Sequence, residues 1–136
     1  MSFRLDNKVS VVTGSGRGIG QAISIGFAEA GADVIIVDVD IKGAEDTSHR
    51  IQEMGRRSLA LKVDISNEGD VNQMVEQILK EFGKIDILVN NAGISPVLKR
   101  IEEMSKQDWD KTIEVNLTGT FLCTQAVGRT MIKQNN

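Results

Sequence analysis

The sequence predicts an α/β fold, a parallel sheet wound on both faces by helices. Three observations lead there. Short apolar runs rich in β-branched residues alternate with longer stretches of helical periodicity. Three of the four runs are nearly all apolar, the pattern of strands covered on both faces. Three of the helical stretches stop at a glycine, the residue that takes the left-handed turn closing a helix.

In chain order, Val9–Thr13 is the first strand. Ile19, Ala22, Ile23, Gly26, Phe27 and Ala30 then recur at i, i+3, i+4, i+7, i+8 and i+11, a core-facing helical stripe that stops at Gly31. Val34–Asp38 is the second strand. Ala44, Ser48, Ile51 and Met54 predict a helix over Ile41–Met54, stopping at Gly55. In Ser58–Asp64, Leu59, Leu61 and Val63 alternate with Ser58, Ala60, Lys62 and Asp64, so one face meets water and this strand belongs at an edge. Val71, Met74, Val75, Ile78, Leu79 and Phe82 repeat the helical stripe before Gly83. Ile85–Asn90 is the fourth strand. Ser105-Lys106-Gln107-Asp108 reads as a capping box and opens a last helical region from about Gln107 to Lys133, broken near Asn116–Gly119. Strands alternating with helices require right-handed crossovers, and the sheet order 3-2-1-4 puts Ser58–Asp64 at the edge.

Composition narrows the function classes. The 136 residues suit one domain, with 40% apolar residues and a net charge of −3 that argues against a nucleic-acid partner. No apolar run reaches the roughly 18 residues of a membrane span, and Met1–Lys8 lacks the apolar core of a secretory signal. A single cysteine, Cys123, excludes an intrachain disulfide or Cys-cluster metal site and points to a reducing, cytosolic compartment. Cys123 sits among Phe121, Leu122 and Ala126 as a small buried thiol, His49 reads as a solvated surface residue with no metal partners, and Trp109 as aromatic core filling.

The string Thr13-Gly14-Ser15-Gly16-Arg17-Gly18-Ile19-Gly20 lies between the first strand and the first helix. In that position glycines permit a tight turn, close approach of backbone to a pyrophosphate, and tight packing of helix on strand. Free N–H groups and the positive end of the helix dipole then meet the phosphates. Asp38 ends the second strand, about 20 residues on, where a carboxylate accepts from the adenosine ribose hydroxyls. Its charge repels a 2′-phosphate and favours NAD over NADP; Arg17 is a counter-signal, since a guanidinium can pair with that phosphate. The plainer alternative for Asp38 is a carboxylate opening a turn, a role that suits Asp40 better. The expected architecture is therefore a Rossmann-type doubly wound parallel sheet.

Thr13-Gly14-x-x-x-Gly18-Ile19-Gly20, Asn90-Asn91-Ala92-Gly93 after the fourth strand, and Asn116 in Val115-Asn116-Leu117-Thr118-Gly119 together closely resemble the short-chain dehydrogenase/reductase family, over the whole chain. The resemblance implies that residues 1–136 form an NAD-binding domain, the N-terminal part of such an enzyme. It implies that Gly14, Gly18 and Gly20 hold the pyrophosphate, with Ser15, Arg17 and Ile19 in the same loop, and that Asp38 holds the ribose. Asp64 and the Ile65 backbone match the adenine contact, Asn90 supports the cofactor, and Asn91, Ala92 and Gly93 line the nicotinamide ribose. Asparagine also favours strand-ending turns, and the two roles are compatible. Asn116 matches a catalytic asparagine that interrupts a helix and holds a water linked to an active-site lysine; the plainer alternative is a polar residue tolerated at a helix kink.

The family's acid is the tyrosine of a Tyr-x-x-x-Lys pair, with a serine upstream. This chain has no tyrosine, and Arg129 stands four residues before Lys133. By resemblance the chain is about half of a subunit and inactive alone, with Ile85–Asn90 as an exposed edge that invites self-association. Three readings follow: an NAD-dependent (less readily NADP-dependent) oxidoreductase of an alcohol/carbonyl pair (polyol, sugar acid or 3-oxoacyl thioester), a non-catalytic NAD-binding module, or a self-associating fragment. The segment Ser95–Arg100 is a candidate substrate mouth. By family analogy the parent is a dimer or tetramer, and Leu117, Phe121 and Met131 are interface or core residues.

Overall fold

The computed structural model describes residues 3–95 and 98–135. Four strands, β1 (Val9–Thr13), β2 (Asp33–Asp38), β3 (Ser58–Lys62) and β4 (Ile87–Val89), form one parallel sheet in the order β3-β2-β1-β4. The helices are α1 (Gly18–Glu29), α2 (Ile41–Glu53), α3 (Glu68–Phe82), α4 (Lys106–Ile113) and α5 (Thr120–Gln134). A 3-10 turn covers Ile101–Glu103, and a π-helical turn, Glu114–Gly119, runs α4 into α5. The expected Rossmann-type sheet and its order are present.

The register pairs Val11 with Ile35 and Val12 with Ile36. Because successive side chains leave a strand on opposite faces, each pair feeds a different core. Val11, Ile35 and Val37 join Val71, Met74, Ile78, Cys123 and Val127 beneath α3 and α5. Val12, Val34 and Ile36 join Ala28, Ala44 and Ile51 beneath α1 and α2. Each fully buried Val or Ile contributes about 1.5–3 kcal/mol, and all five residues of β1 are buried. The β3 edge keeps the expected alternation: Leu61 and Val63 are buried, Lys62 and Asp64 exposed.

Helix ends follow local chemistry. Gly31, Gly55 and Gly83 all take positive φ, and Gly83 closes α3 in the left-handed region at +78°. The Asp108 N–H donates to Ser105 Oγ at 3.0 Å, the expected cap of α4. A cap the sequence reading passed over is Asn67, whose Oδ1 accepts from the Asp70 N–H at 2.9 Å.

Several expectations are corrected. The α1 stripe is kept only in part: Ile23, Phe27 and Ala30 pack half-buried on the core, but the buried residues are Gly20, Ser24 and Ala28, while Ile19, Ala22 and Gly26 are exposed. The helix lies so close to the sheet that small residues fill its inner face, and Ser24 Oγ satisfies itself on the Gly20 carbonyl at 2.8 Å. In α2, Thr47 replaces Met54 on the inner face, and Met54 is exposed. Trp109 is half exposed, not core filling. The ladders stop short of the apolar runs, β3 at Lys62 and β4 at Ile87–Val89. Asp64 therefore lies in a turn, and Asn90 follows β4. β4 pairs only with β1 and its three residues are half-buried, an edge strand among the described residues.

Candidate functional site

The strands are parallel, so their carboxyl ends share one edge of the sheet, and the chain order reverses between β1 and β4. Crossovers from these two strands leave toward opposite faces and open a crevice there. The glycine loop follows β1 and the Asn-Asn-Ala-Gly turn follows β4, so the two candidate motifs flank that crevice.

They are locked together. Asn91 Nδ2 donates to the carbonyls of Thr13 and Gly14, both at 3.0 Å, while Thr13 Oγ1 accepts the N–H groups of Asn91 and Ala92 at 3.1 and 3.0 Å. Gly14 sits at φ +63°, and a Cβ there would lie 2.7 Å from Ala92 Cα. A Cβ on Gly20 would run into the Gly14 carbonyl and Asn91 Nδ2. Gly18, at φ +60°, has nothing within 4 Å of its would-be Cβ and borders open space. Arg17 and Ile19 beside it are exposed, Ile19 by 75%. Arg17 is the N-cap of α1 and gives no side-chain cap, so the first-turn N–H groups keep their donors for an anion.

Ser15 goes the other way. It is fully buried, donates Oγ–H to the Val12 carbonyl at 2.5 Å, accepts the Val37 N–H at 3.1 Å, and sends its own N–H to the Val37 carbonyl at 3.2 Å. Its side chain and amide bind the loop to β1 and β2. Asp38, one strand over, accepts the Gly16 N–H on Oδ2 at 2.9 Å and the Asp40 N–H on Oδ1 at 3.0 Å. Further along the edge, Asp64 accepts both the N–H and the hydroxyl of Ser66, at 3.0 and 2.6 Å. The Ile65 side chain is buried, and a Cβ on Gly119 of the π turn would sit 2.6 Å from its Cγ1.

On the β4 side, Asn90 Nδ2 donates to Thr124 Oγ1 at 3.0 Å. Asn116 lies in the π turn, where helices open by one residue. Its Oδ1 accepts the Ile94 N–H and its Nδ2 donates to the Ile94 carbonyl, each at 2.8 Å, and Gly93 packs against the same carboxamide. Gly93 and Asn116 thus meet, while Asn90 is held on α5 and Ala92 on the glycine loop. Pro96 and Val97 of the candidate substrate mouth lie outside the described residues; Leu98 next to them is fully exposed.

This arrangement has close counterparts. A profile of the short chain dehydrogenases matches residues 8–136. The chain belongs to the short-chain dehydrogenase family. It is 43% identical over 132 residues to a (2S)-[(R)-hydroxy(phenyl)methyl]succinyl-CoA dehydrogenase subunit of Thauera aromatica, covering 97% of this chain and 53% of that protein. It is 42% identical over 130 residues to an NAD-dependent glycerol dehydrogenase of Listeria innocua, covering 96% and 50%. A crystal structure of NAD+-bound xylitol dehydrogenase superimposes with a TM-score of 0.93 at 32% identity, covering 99% of this chain and 51% of the other. The chain spans about half the length of the curated relatives it matches.

Around the crevice the chain sets glycines packed against the β4 turn at Gly14 and Gly20, open space at Gly18, an uncapped helix N-terminus and a carboxylate ending β2, features that suit a dinucleotide. Sequence reasoning missed the weight of Thr13 and Asn91, whose reciprocal bonds only the folded sheet reveals. It also missed Gly119, whose packing on Ile65 has no local signal. Among the described residues no group of three metal-ligating side chains converges, and no helix is long and apolar enough to cross a membrane. Cys123 is buried and away from the crevice; burial pushes its thiol up to about 11.

Proposed function

We propose that residues 1–136 form an NAD-binding domain, the cofactor half of a cytosolic oxidoreductase that interconverts an alcohol and a carbonyl. The observation that carries this reading is the Asp38 carboxylate, ending β2 beside the glycine loop with a backbone N–H on each oxygen. A carboxylate so placed accepts from ribose hydroxyls and repels a 2′-phosphate. Gly14, Gly18, Ile19 and Gly20 receive the pyrophosphate at the start of α1, with Arg17 at the rim. Asp64 and Ile65 flank the adenine, and Asn90, Ala92 and Gly93 run along the nicotinamide ribose.

When bound, the nicotinamide supplies the hydride chemistry. The residues here bind and orient. Asn116 keeps the turn at Gly93–Ile94 in place and opens the helix where a water can sit, the family's fourth catalytic position. The proton donor that the chemistry needs is a tyrosine in this family, and these 136 residues contain none, so the chain by itself binds without turnover. Relatives named for glycerol and for a hydroxyacyl-CoA support a polyol or an acyl-thioester alcohol as substrate. Trp109, Leu117 and Phe121, all more than half exposed along α4, the π turn and α5, support a second subunit on that face, in a dimer or tetramer.

Calorimetric titration of the chain with NAD and NADP tests this reading. NAD binding is expected, with NADP weaker, and Asp38→Ala is expected to weaken NAD and narrow the difference. No binding of NAD at millimolar concentration would remove the proposal. Unchanged affinities in Asp38→Ala would reduce Asp38 to a turn residue.

A further inference from the structure

Gly16 is not one of the glycines that the cofactor motif requires, yet it packs directly against α2. Its N–H donates to Asp38 Oδ2 at 2.9 Å, and its carbonyl accepts the Thr47 hydroxyl at 3.4 Å. Thr47 is wholly buried and in turn accepts from Gln21 Nε2 of α1 at 2.9 Å. A Cβ on Gly16 would lie 2.9 Å from Asp38 Oδ2 and 3.1 Å from both Gly43 C and Ala44 N. A Cβ on Gly43 would lie 3.1 Å from the Gly16 carbonyl oxygen. The two backbones touch because neither residue has a side chain.

We propose that Gly16, Gly43, Thr47 and Gln21 form a brace that immobilises the Asp38 carboxylate, and that this immobility sets the preference for NAD over NADP. The inference rests on the reading of Asp38 as the ribose contact. Its physical basis is that charge alone does not exclude a 2′-phosphate. A phosphate monoester carries about −1.5 to −2 charges, but a carboxylate free to rotate can swing aside, and a guanidinium such as that of exposed Arg17 can then pair with the phosphate. Here rotation is opposed on both oxygens, by Gly16 N–H on one and Asp40 N–H on the other. Gly16 is itself held from behind by Thr47, and Thr47 by Gln21. Gly16 and Thr47 are thus positioning residues that act through Asp38.

The test is calorimetric titration of the chain with NAD and, separately, NADP, in wild type, Gly16→Ala, Thr47→Val and Thr47→Ser, with thermal melting of each. The expected result is that the methyl of Gly16→Ala pushes Asp38 Oδ2 off the backbone N–H that alanine retains, and brings the NADP-to-NAD ratio of Kd values toward unity by about tenfold, the worth of that charge-assisted hydrogen bond. Thr47→Val moves the ratio in the same direction, and Thr47→Ser, which keeps the hydroxyl, retains the wild-type ratio. A merely structural role would lower the melting temperature and weaken both cofactors alike. An unchanged ratio in Thr47→Val therefore overturns the brace while the ribose reading stands, and Thr47→Val decides the matter if Gly16→Ala does not fold. Wild type without a preference for NAD, or Asp38→Ala without effect, overturns the ribose reading and this inference with it.

Discussion

Asn116 and Ile94 exchange two hydrogen bonds of 2.8 Å, the carboxamide standing in for the backbone of a neighbouring strand. Gln134 does the same to Ile85, with bonds of 3.0 and 2.9 Å. The two amides sit far apart on the helical rod running from Lys106 to Gln134, and they hold the segment that contains β4 at both ends. That rod is thereby registered against the turn that borders the crevice, which links helix packing to the geometry of the crevice.

Asn116→Ala removes both bonds to Ile94. Because the site is exposed, water replaces them, and the expected loss is about 0.5–1.5 kcal/mol in urea unfolding. The Ile94 amide is expected to exchange with deuterium faster than in wild type, while amides of β1 keep their protection. Uniform exchange rates across the two proteins would mean that the turn is held by something other than this pair.

Asp86 predicts a pH dependence. Burial raises its carboxyl, but the Val9 N–H and the Lys84 ammonium more than offset this and hold it below the usual range. A carboxyl lowered on folding stabilises the fold above its unfolded value of about 3.9, and that contribution is lost as pH falls through the folded value. Asp86→Asn is expected to cost about 1 kcal/mol at pH 7, with the two stability curves converging as pH falls through the lowered, folded value. Curves that stay parallel across that range would contradict the assignment.

Cys123 is fully buried, with its thiol pushed up to about 11. The thiolate is the reactive form, so alkylation of the native chain at pH 8 is expected to be slow and to accelerate in urea together with the loss of helical signal. Rapid modification of the folded chain would show that α5 opens locally.

The apolar row Trp109, Leu117 and Phe121 is expected to cover itself with a second subunit. Phe121→Lys should shift sedimentation toward the monomer while leaving the unfolding free energy of the dissociated chain within about 0.5 kcal/mol of wild type, as surface changes do. A sedimentation profile identical to wild type would assign this face to something other than self-association.

The α3 stripe from Val71 to Phe82, the apolar run of β2, the cap at Ser105 and the glycines that close three helices were all legible in the sequence, because each depends on spacing along the chain. So were the order of the strands and the glycine loop, since alternation of strand and helix leaves few right-handed topologies. The inner face of α1 was legible only in part, through Ile23, Phe27 and Ala30. Hydrophobic periodicity selects Ile19, but the close approach of helix to sheet selects Gly20, Ser24 and Ala28, and that distance belongs to the sheet. Trp109 and Met54 fell to the same limit, since an apolar residue on a short helix is core only if something packs over it.

What the sequence determined by itself is the set of local conformations and the chemical types gathered at one edge: glycines, Asp38, Asp64 and the asparagines. What only the tertiary structure decided is their partners. Asn91 reaching Thr13 and Gly14, Gly119 receiving Ile65, and Gly16 meeting Gly43 are contacts between residues 27 to 78 positions apart. Their cause is the parallel sheet, which brings distant strand ends to one edge and leaves each side chain to satisfy its polar groups with whatever the neighbouring strand presents.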